Sequence, residues 1–151
     1  MYNLQSMRGR AKGTIAECMF RLVNKNLVLT RLLDRKLFFR FYGSCLTHQQ
    51  MMFLDKNWLS IDGIEIKRCR AQQEIILYEI KSKNRKYASN NRWPTKVTVN
   101  SCRIYKVAKH IGFQTKLATV MFGEDWNYSI NIENFDDAYW TIDKPGKFGR
   151  F

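Results

Sequence analysis

Apolar positions along the chain change period several times, and each change predicts an element. Ile15, Met19 and Leu22 recur at helical spacing, with Thr14 placed to cap and Glu17 three residues later. That is the pattern of a capping box, so a helix is predicted from just after Gly13 to about Asn24–Asn26. Leu27–Leu33 and Leu37–Tyr42 read as two strands around Asp34, Arg35 and Lys36. Gly43 to Asn57 reads as a connection with a short helical turn at His48–Phe53. The main hairpin follows: Trp58–Ile66, a polar turn over Lys67–Gln73, then Glu74–Lys81. The second arm carries Ile75, Ile76, Leu77, Tyr78 and Ile80, a nearly continuous apolar run suited to a strand buried on both faces. Ser82–Pro94 is a basic, Asn-rich loop. A helix is predicted from about Lys96 to Ile111, ending before Gly112, although Val97, Thr98 and Val99 also suit a strand. Lys116–Phe122 and Trp126–Ile132 read as later strands, and the closing KPGKFGRF as surface chain.

This order of helix, strands, hairpin, helix and strand predicts one α/β (α+β) domain over residues 1–151, with residues 1–12 a loose basic arm. Hydrophobic residues make up 45% of the 151, with 10 Phe, 7 Tyr and 4 Trp, which suffices for one core.

Charge changes the picture from fold to partner. Lys and Arg total 26 against 13 Asp and Glu, a formal net charge of +13. Solubility alone needs much less, so the excess points to a polyanion, and nucleic acid is the chief candidate. The charge is also segregated. From Ile80 to Gly123 there are ten bases and no acid, and from Glu124 to Asp143 six acids and no base. No basic amphipathic helix with a Leu/Trp face suggests a membrane surface. Cys18, Cys45, Cys69 and Cys102 form no C-x-x-C pair, and His48 and His110 are isolated, which excludes a zinc finger or ribbon. The thiols are expected to be small buried hydrophobes. No signal peptide or 18-residue apolar run is present, so a reduced cytoplasmic setting without membrane insertion is expected.

Candidate chemistry concentrates at one end of the main hairpin. Glu79 and Lys81 lie two apart on a strand and so share a side, about 7 Å apart along it. Asp62 on the neighbouring arm can face them. Two carboxylates and an ammonium beside a basic region suit phosphodiester cleavage. Mg²⁺ takes oxygen ligands, usually one or two carboxylates with water and phosphate. Lys81, next to two carboxylates, should stay protonated and act electrostatically. An E-x-K triplet is a common accident in a Lys-rich chain, and Asp62 before Gly63 also suits a turn. Glu65 and Glu74 are alternatives to Asp62. Arg8, Arg10 and Lys12 in the arm, Lys83, Arg85 and Lys86 after the triplet, and Arg103 and Lys106 on the later helix are candidate DNA-phosphate contacts. Tyr87 and Trp93 could stack on bases or pack the loop, and Tyr105 reads as a core aromatic.

Asp62 followed by Glu79-x-Lys81 at the end of an apolar strand, between two helices, resembles the PD-(D/E)xK or restriction-endonuclease-like nucleases. The opening RGRAKGTIAEC, residues 8–18, is similar in style to the start of archaeal Holliday junction resolvases. The resemblance spans about residues 8–122 and implies a mixed central β-sheet flanked by helices, Mg²⁺ (or Mn²⁺) dependence, DNA as substrate and action as a homodimer. It implies a metal site of Asp62 and Glu79 completed by Glu17. The chain departs from the RecB-type nucleases, which carry Gln four residues before Tyr; Ser101 holds that place before Tyr105. Ile61, not Pro, precedes Asp62. A non-catalytic DNA- or RNA-binding protein is the alternative.

Overall fold

A computed structural model describes residues 9–69, 72–84, 95–123, 127–135, 140–144 and 147–150. The elements are α1 (Gly9–Val23), β1 (Leu27–Leu29), α2 (Arg35–Tyr42), α3 (His48–Asn57), β2 (Gly63–Cys69) and β3 (Gln72–Asn84). They continue with β4 (Thr95–Thr98), α4 (Val99–His110), β5 (Gln114–Phe122), β6 (Tyr128–Asn134), β7 (Trp140–Lys144) and β8 (Lys147–Arg150). Five strands form a mixed sheet in the order β1-β2-β3-β5-β6, in which β3 and β5 run parallel and the other neighbours antiparallel. Strands β4, β7 and β8 form a smaller second sheet. The fold is α+β with a mixed sheet, as the element order predicts.

The central sheet is covered on both faces, which is why β3 reads as an apolar run rather than an alternation. On one face Ala16 and Phe20 of α1 pack on Leu27, Leu29, Ile76, Tyr78, Ile80, Ala118 and Val120. On the other, Phe38, Leu54, Trp58, Cys102, Tyr105 and Ala108 pack on Ile64, Leu77 and Leu117. Parallel β3 and β5 need a crossover, and α4 supplies it.

Several local expectations change. Leu37–Tyr42 is not a strand but α2, because the Asp34 carboxylate accepts the Lys36 amide at 2.7 Å and caps a helix. Its aromatic run then places Phe38 in the core against Trp58, with ring centroids 5.1 Å apart. β1 stops at Leu29 instead of Leu33, since Leu32 and Leu33 both donate back to the Leu29 carbonyl. The turn at His48–Phe53 is a full helix to Asn57, opened by a Thr47/Gln50 capping box. Trp58–Ser60 is a 3₁₀ turn, so β2 begins only at Gly63. The hairpin turn is shorter than Lys67–Gln73, because pairing continues to Cys69 opposite Gln72. β3 runs on to Asn84. The β-branched start at Lys96 does belong to a strand, and Thr98 caps α4 by accepting the Ser101 amide at 3.1 Å. Gly112 follows the helix with φ +101°, the left-handed conformation that a glycine adopts without strain. Lys147–Arg150 is strand rather than surface chain.

Helix α1 starts at Gly9, five residues before Thr14, so Thr14 and Glu17 are mid-helix residues and form no capping box. Residues 9–12 are therefore helical rather than a loose arm. Cys102 is buried as expected, with its thiol pushed up to about 11 by burial, but Cys18 is exposed on α1.

Candidate active site

Asp62 is fixed by its neighbours on both sides. Ile61 before it is fully buried, and its carbonyl accepts the Thr30 hydroxyl. The Asp62 amide donates to the Tyr78 carbonyl and its own carbonyl accepts the Thr30 amide, both at 3.2 Å. Strand β2 pairs with β3 only as far as Gly63 opposite Tyr78, so Ile80 lies beyond its end. The Asp62 carboxylate takes over there and accepts the Ile80 amide at 2.8 Å. Asp62 is thus not a residue of the strand but the side chain that terminates its pairing.

Glu79 and Lys81 follow on β3 near its carboxyl end, where ligands of parallel strands characteristically bind. They share the face of Leu77, as period-2 alternation predicts. Glu79 is only 4% exposed, and the Lys81 ammonium lies 3.0 Å from its carboxylate. The fully buried Tyr105 phenol donates to the Tyr78 carbonyl at 2.7 Å and is within hydrogen-bonding reach of Glu79. Tyr105 also stacks on Phe135, centroids 4.7 Å apart. It is a core aromatic whose polar end props the site from below.

Glu17 reaches the same place from the other side of the sheet. Glu17 is 5% exposed, and its carboxylate faces Arg31 at 3.6 Å.

The electrostatics are those of a crowded carboxylate cluster. Burial pushes the Glu79 carboxyl up to about 7, and Asp62 adds to this against the opposing pull of Lys81 and Tyr105. Burial likewise raises Asp62, opposed by the Ile80 amide, Lys81 and Arg31. Glu17 is raised by burial and by Asp62, and held back by Arg31 and Lys81. Burial acts to lower Lys81, but Glu79, Asp62 and Glu17 outweigh it, so the ammonium binds its proton more tightly than usual.

Cations flank this cluster. Lys12 bonds the Asn84 side chain and lies over the Phe122 ring, 5.5 Å from its centroid. Lys83 follows on β3, and burial lowers both ammonium groups. Arg103 and Lys106 are on the exposed side of α4. Arg10 lies in the first turn of α1. Arg8, Arg85, Lys86, Tyr87 and Trp93 lie outside the described residues. Of the alternatives to Asp62, Glu74 pairs across the hairpin with Lys67, and Glu65 is committed to Tyr78. Arg31, Thr30 and Asn84 belong to the neighbourhood without any signal in the sequence, since local spacing does not show what a turn brings beside a helix.

Among the described residues no three His, Cys, Asp or Glu side chains are arranged to hold a metal ion. Asp62 and Glu79 are two hard-oxygen donors that burial and mutual repulsion leave short of positive charge, and this fits Mg²⁺ held by two carboxylates with water and phosphate. Two open concavities of about 410 and 560 Å³ lie elsewhere, beside β1 and along the outer part of the hairpin, and neither is lined by these carboxylates. No helix among the described residues is long and apolar enough to cross a membrane.

No protein-family model matches the chain, and neither a curated protein nor a solved structure is significantly similar to it.

Proposed function

We propose that this chain is a metal-dependent nuclease that hydrolyses phosphodiester bonds of DNA. The observation that carries the reading is the meeting of Asp62, Glu79 and Lys81 at the carboxyl end of β3, with the carboxyl of Glu79 raised to about 7. A structural ion pair needs one carboxylate per cation. Here buried acids outnumber the ammonium beside them, an arrangement that costs stability and is a mark of functional sites.

Asp62 and Glu79 would hold Mg²⁺ (or Mn²⁺), which supplies polarisation of the scissile phosphate and a bound water of lowered pKa. Asp62, locked by the Ile80 amide, presents its carboxylate without rearrangement. Lys81 stays protonated and offers its ammonium to the charge that develops on the phosphoryl oxygens. Tyr105, its hydroxyl given to the Tyr78 carbonyl, packs beneath the Glu79 carboxylate. Lys12 and Lys83 bind flanking phosphates, and the excess of positive charge steers the polyanion toward a cluster that would otherwise repel it. The mixed sheet flanked by helices agrees with what a restriction-endonuclease-like core implies. This supports the assignment without depending on it.

The test is incubation of supercoiled and linear DNA with the protein and Mg²⁺, comparing wild type with Glu79→Ala. Expected are cleavage by wild type, its loss in the variant, and salt-sensitive DNA binding by both. Equal cleavage by the variant would remove the site assignment. Tight binding without cleavage of any DNA or RNA by wild type would favour the non-catalytic binder.

A further inference from the structure

Glu17 and Glu79, both buried, each bear electrostatically on the carboxylate of Asp62 between them. Lys81 is paired with Glu79 at 3.0 Å. Among the described residues a second cation acting on this cluster is Arg31, which bears on both Glu17 and Asp62. Its mounting is rigid. Thr30 before it is 5% exposed, with its amide on the Asp62 carbonyl, its hydroxyl on the Ile61 carbonyl and its own carbonyl accepting the Trp58 indole at 3.1 Å. Leu32 after it donates to the Leu29 carbonyl at 3.0 Å. The side chain is anchored as well: Nη1 donates to the Thr14 hydroxyl at 3.1 Å and Nε lies 3.6 Å from Glu17 Oε2.

A guanidinium carries five N–H donors in a fixed fork, and these two contacts use its Nε edge and part of one terminal nitrogen. The Arg31 side chain is 54% exposed while that of Glu17 is 7% exposed, so the pair presents its cationic member to solvent and keeps its anionic member inside. At the other arginine pair, Arg35 and Asp55, both side chains face solvent, 44% and 62% exposed, so neither member is held inside. Resting on the nuclease reading, we propose that Arg31 is a phosphate-binding residue of this site and that Glu17 positions it rather than binding metal. Fork geometry suits the two non-bridging oxygens of a phosphodiester, so the ligand is the backbone phosphate of the DNA strand next to the one cleaved.

The experiment measures binding of a short fluorescein-labelled DNA duplex by anisotropy, with Ca²⁺ replacing Mg²⁺, across a range of salt. Arg31→Ala is expected to weaken binding about tenfold and to reduce the slope of log K against log salt by about one. Arg31→Lys keeps the slope and loses part of the affinity, because the charge remains and the fork does not. Glu17→Gln weakens binding about threefold, in the same direction, and leaves the half-saturating Mg²⁺ concentration for cleavage unchanged. Unaltered affinity and slope in Arg31→Ala would overturn the proposal. So would Glu17→Gln raising the Mg²⁺ requirement about tenfold with binding intact, since that is the signature of a lost ligand. Should Arg31→Ala fail to fold, Arg31→Lys decides: reduced affinity at constant slope supports the clamp, and unchanged affinity overturns it. If wild type cleaves nothing, the nuclease reading falls while the binding series still judges Arg31, and Mg²⁺ titration of thermal stability replaces cleavage as the readout for Glu17.

Discussion

Glu65 and Glu79 are both buried in the central sheet, at 3% and 4% exposure, yet their surroundings could hardly differ more. Glu65, on β2, lies on the α1 face and accepts the Tyr78 hydroxyl at 2.6 Å. Tyr78 is itself held edge-on by Phe20, centroids 5.0 Å apart. One acid, one uncharged donor and an apolar wall make a closed structural contact. Burial and Glu65 together raise the Tyr78 phenol well above its ordinary range, so it keeps its proton and stays a donor. Glu79, on the opposite face, shares its space with a second carboxylate and an ammonium, beyond the last residue of β3 that β2 pairs with. Depth is common to both. Crowding of like charge is what separates the surroundings of Glu79 from the packing contact of Glu65, and it is more often found at functional sites.

The sharpest way to break this comparison is Glu79→Gln, a neutral near-isostere. Cleavage should fall about a thousandfold or more. Metal-free thermal stability at pH 8 should rise by a few degrees, because a charge that folding disfavours has been removed. A fall in both would make Glu79 a structural residue like Glu65.

The next effect is in pH. The folded state binds the Glu79 proton more tightly than the unfolded chain, since the carboxyl moves from 4.5 to about 7. Metal-free stability should therefore fall as pH rises from about 4.5 through about 7, with Asp62 and Glu17 contributing in the same direction. Mg²⁺ should restore stability most above pH 7 and lose its hold below it, because protons compete for the carboxylates. Melting curves with and without Mg²⁺ across this range test it. A Mg²⁺ effect of constant size at every pH would sink the cluster as a cation site.

Tyr78→Phe probes the other member of the comparison. It leaves Glu65 buried without the phenol and should cost about 1–3 kcal/mol in urea unfolding. Cleavage per folded molecule should not change. A smaller effect is expected at the boundary between the two regions. A Cβ on Gly63 would lie 2.8 Å from Leu27 Cδ1, on the Glu65 side and next to Asp62 in the chain. Gly63→Ala should cost about 1–2 kcal/mol as Leu27 shifts. Activity loss beyond that would show that the register of Asp62 depends on this packing.

Much of the site was legible because it depends on short-range periodicity. The run from Ile75 to Ile80 read as a strand buried on both faces, and alternation then put Glu79 and Lys81 on one side. Gly112 was legible as a helix stop for the same local reason. The stretch Arg35–Tyr42 was not. Its aromatics suit strand or helix equally, and the Asp34 cap with the Trp58 contact decides for helix. Thr14 and Glu17 misled because a capping box and a mid-helix pair look identical when the helix start is unknown.

Sequence alone determined the charge excess, the buried strand and the acid-x-lysine pair upon it, since each follows from composition or from a period of two. Tertiary structure decided that Asp62 ends the hairpin by capping the Ile80 amide, that Glu17 of α1 bears on the same carboxylate, and that Arg31 acts on both. Those contacts join residues that local periods cannot relate, because they are set by where strands stop.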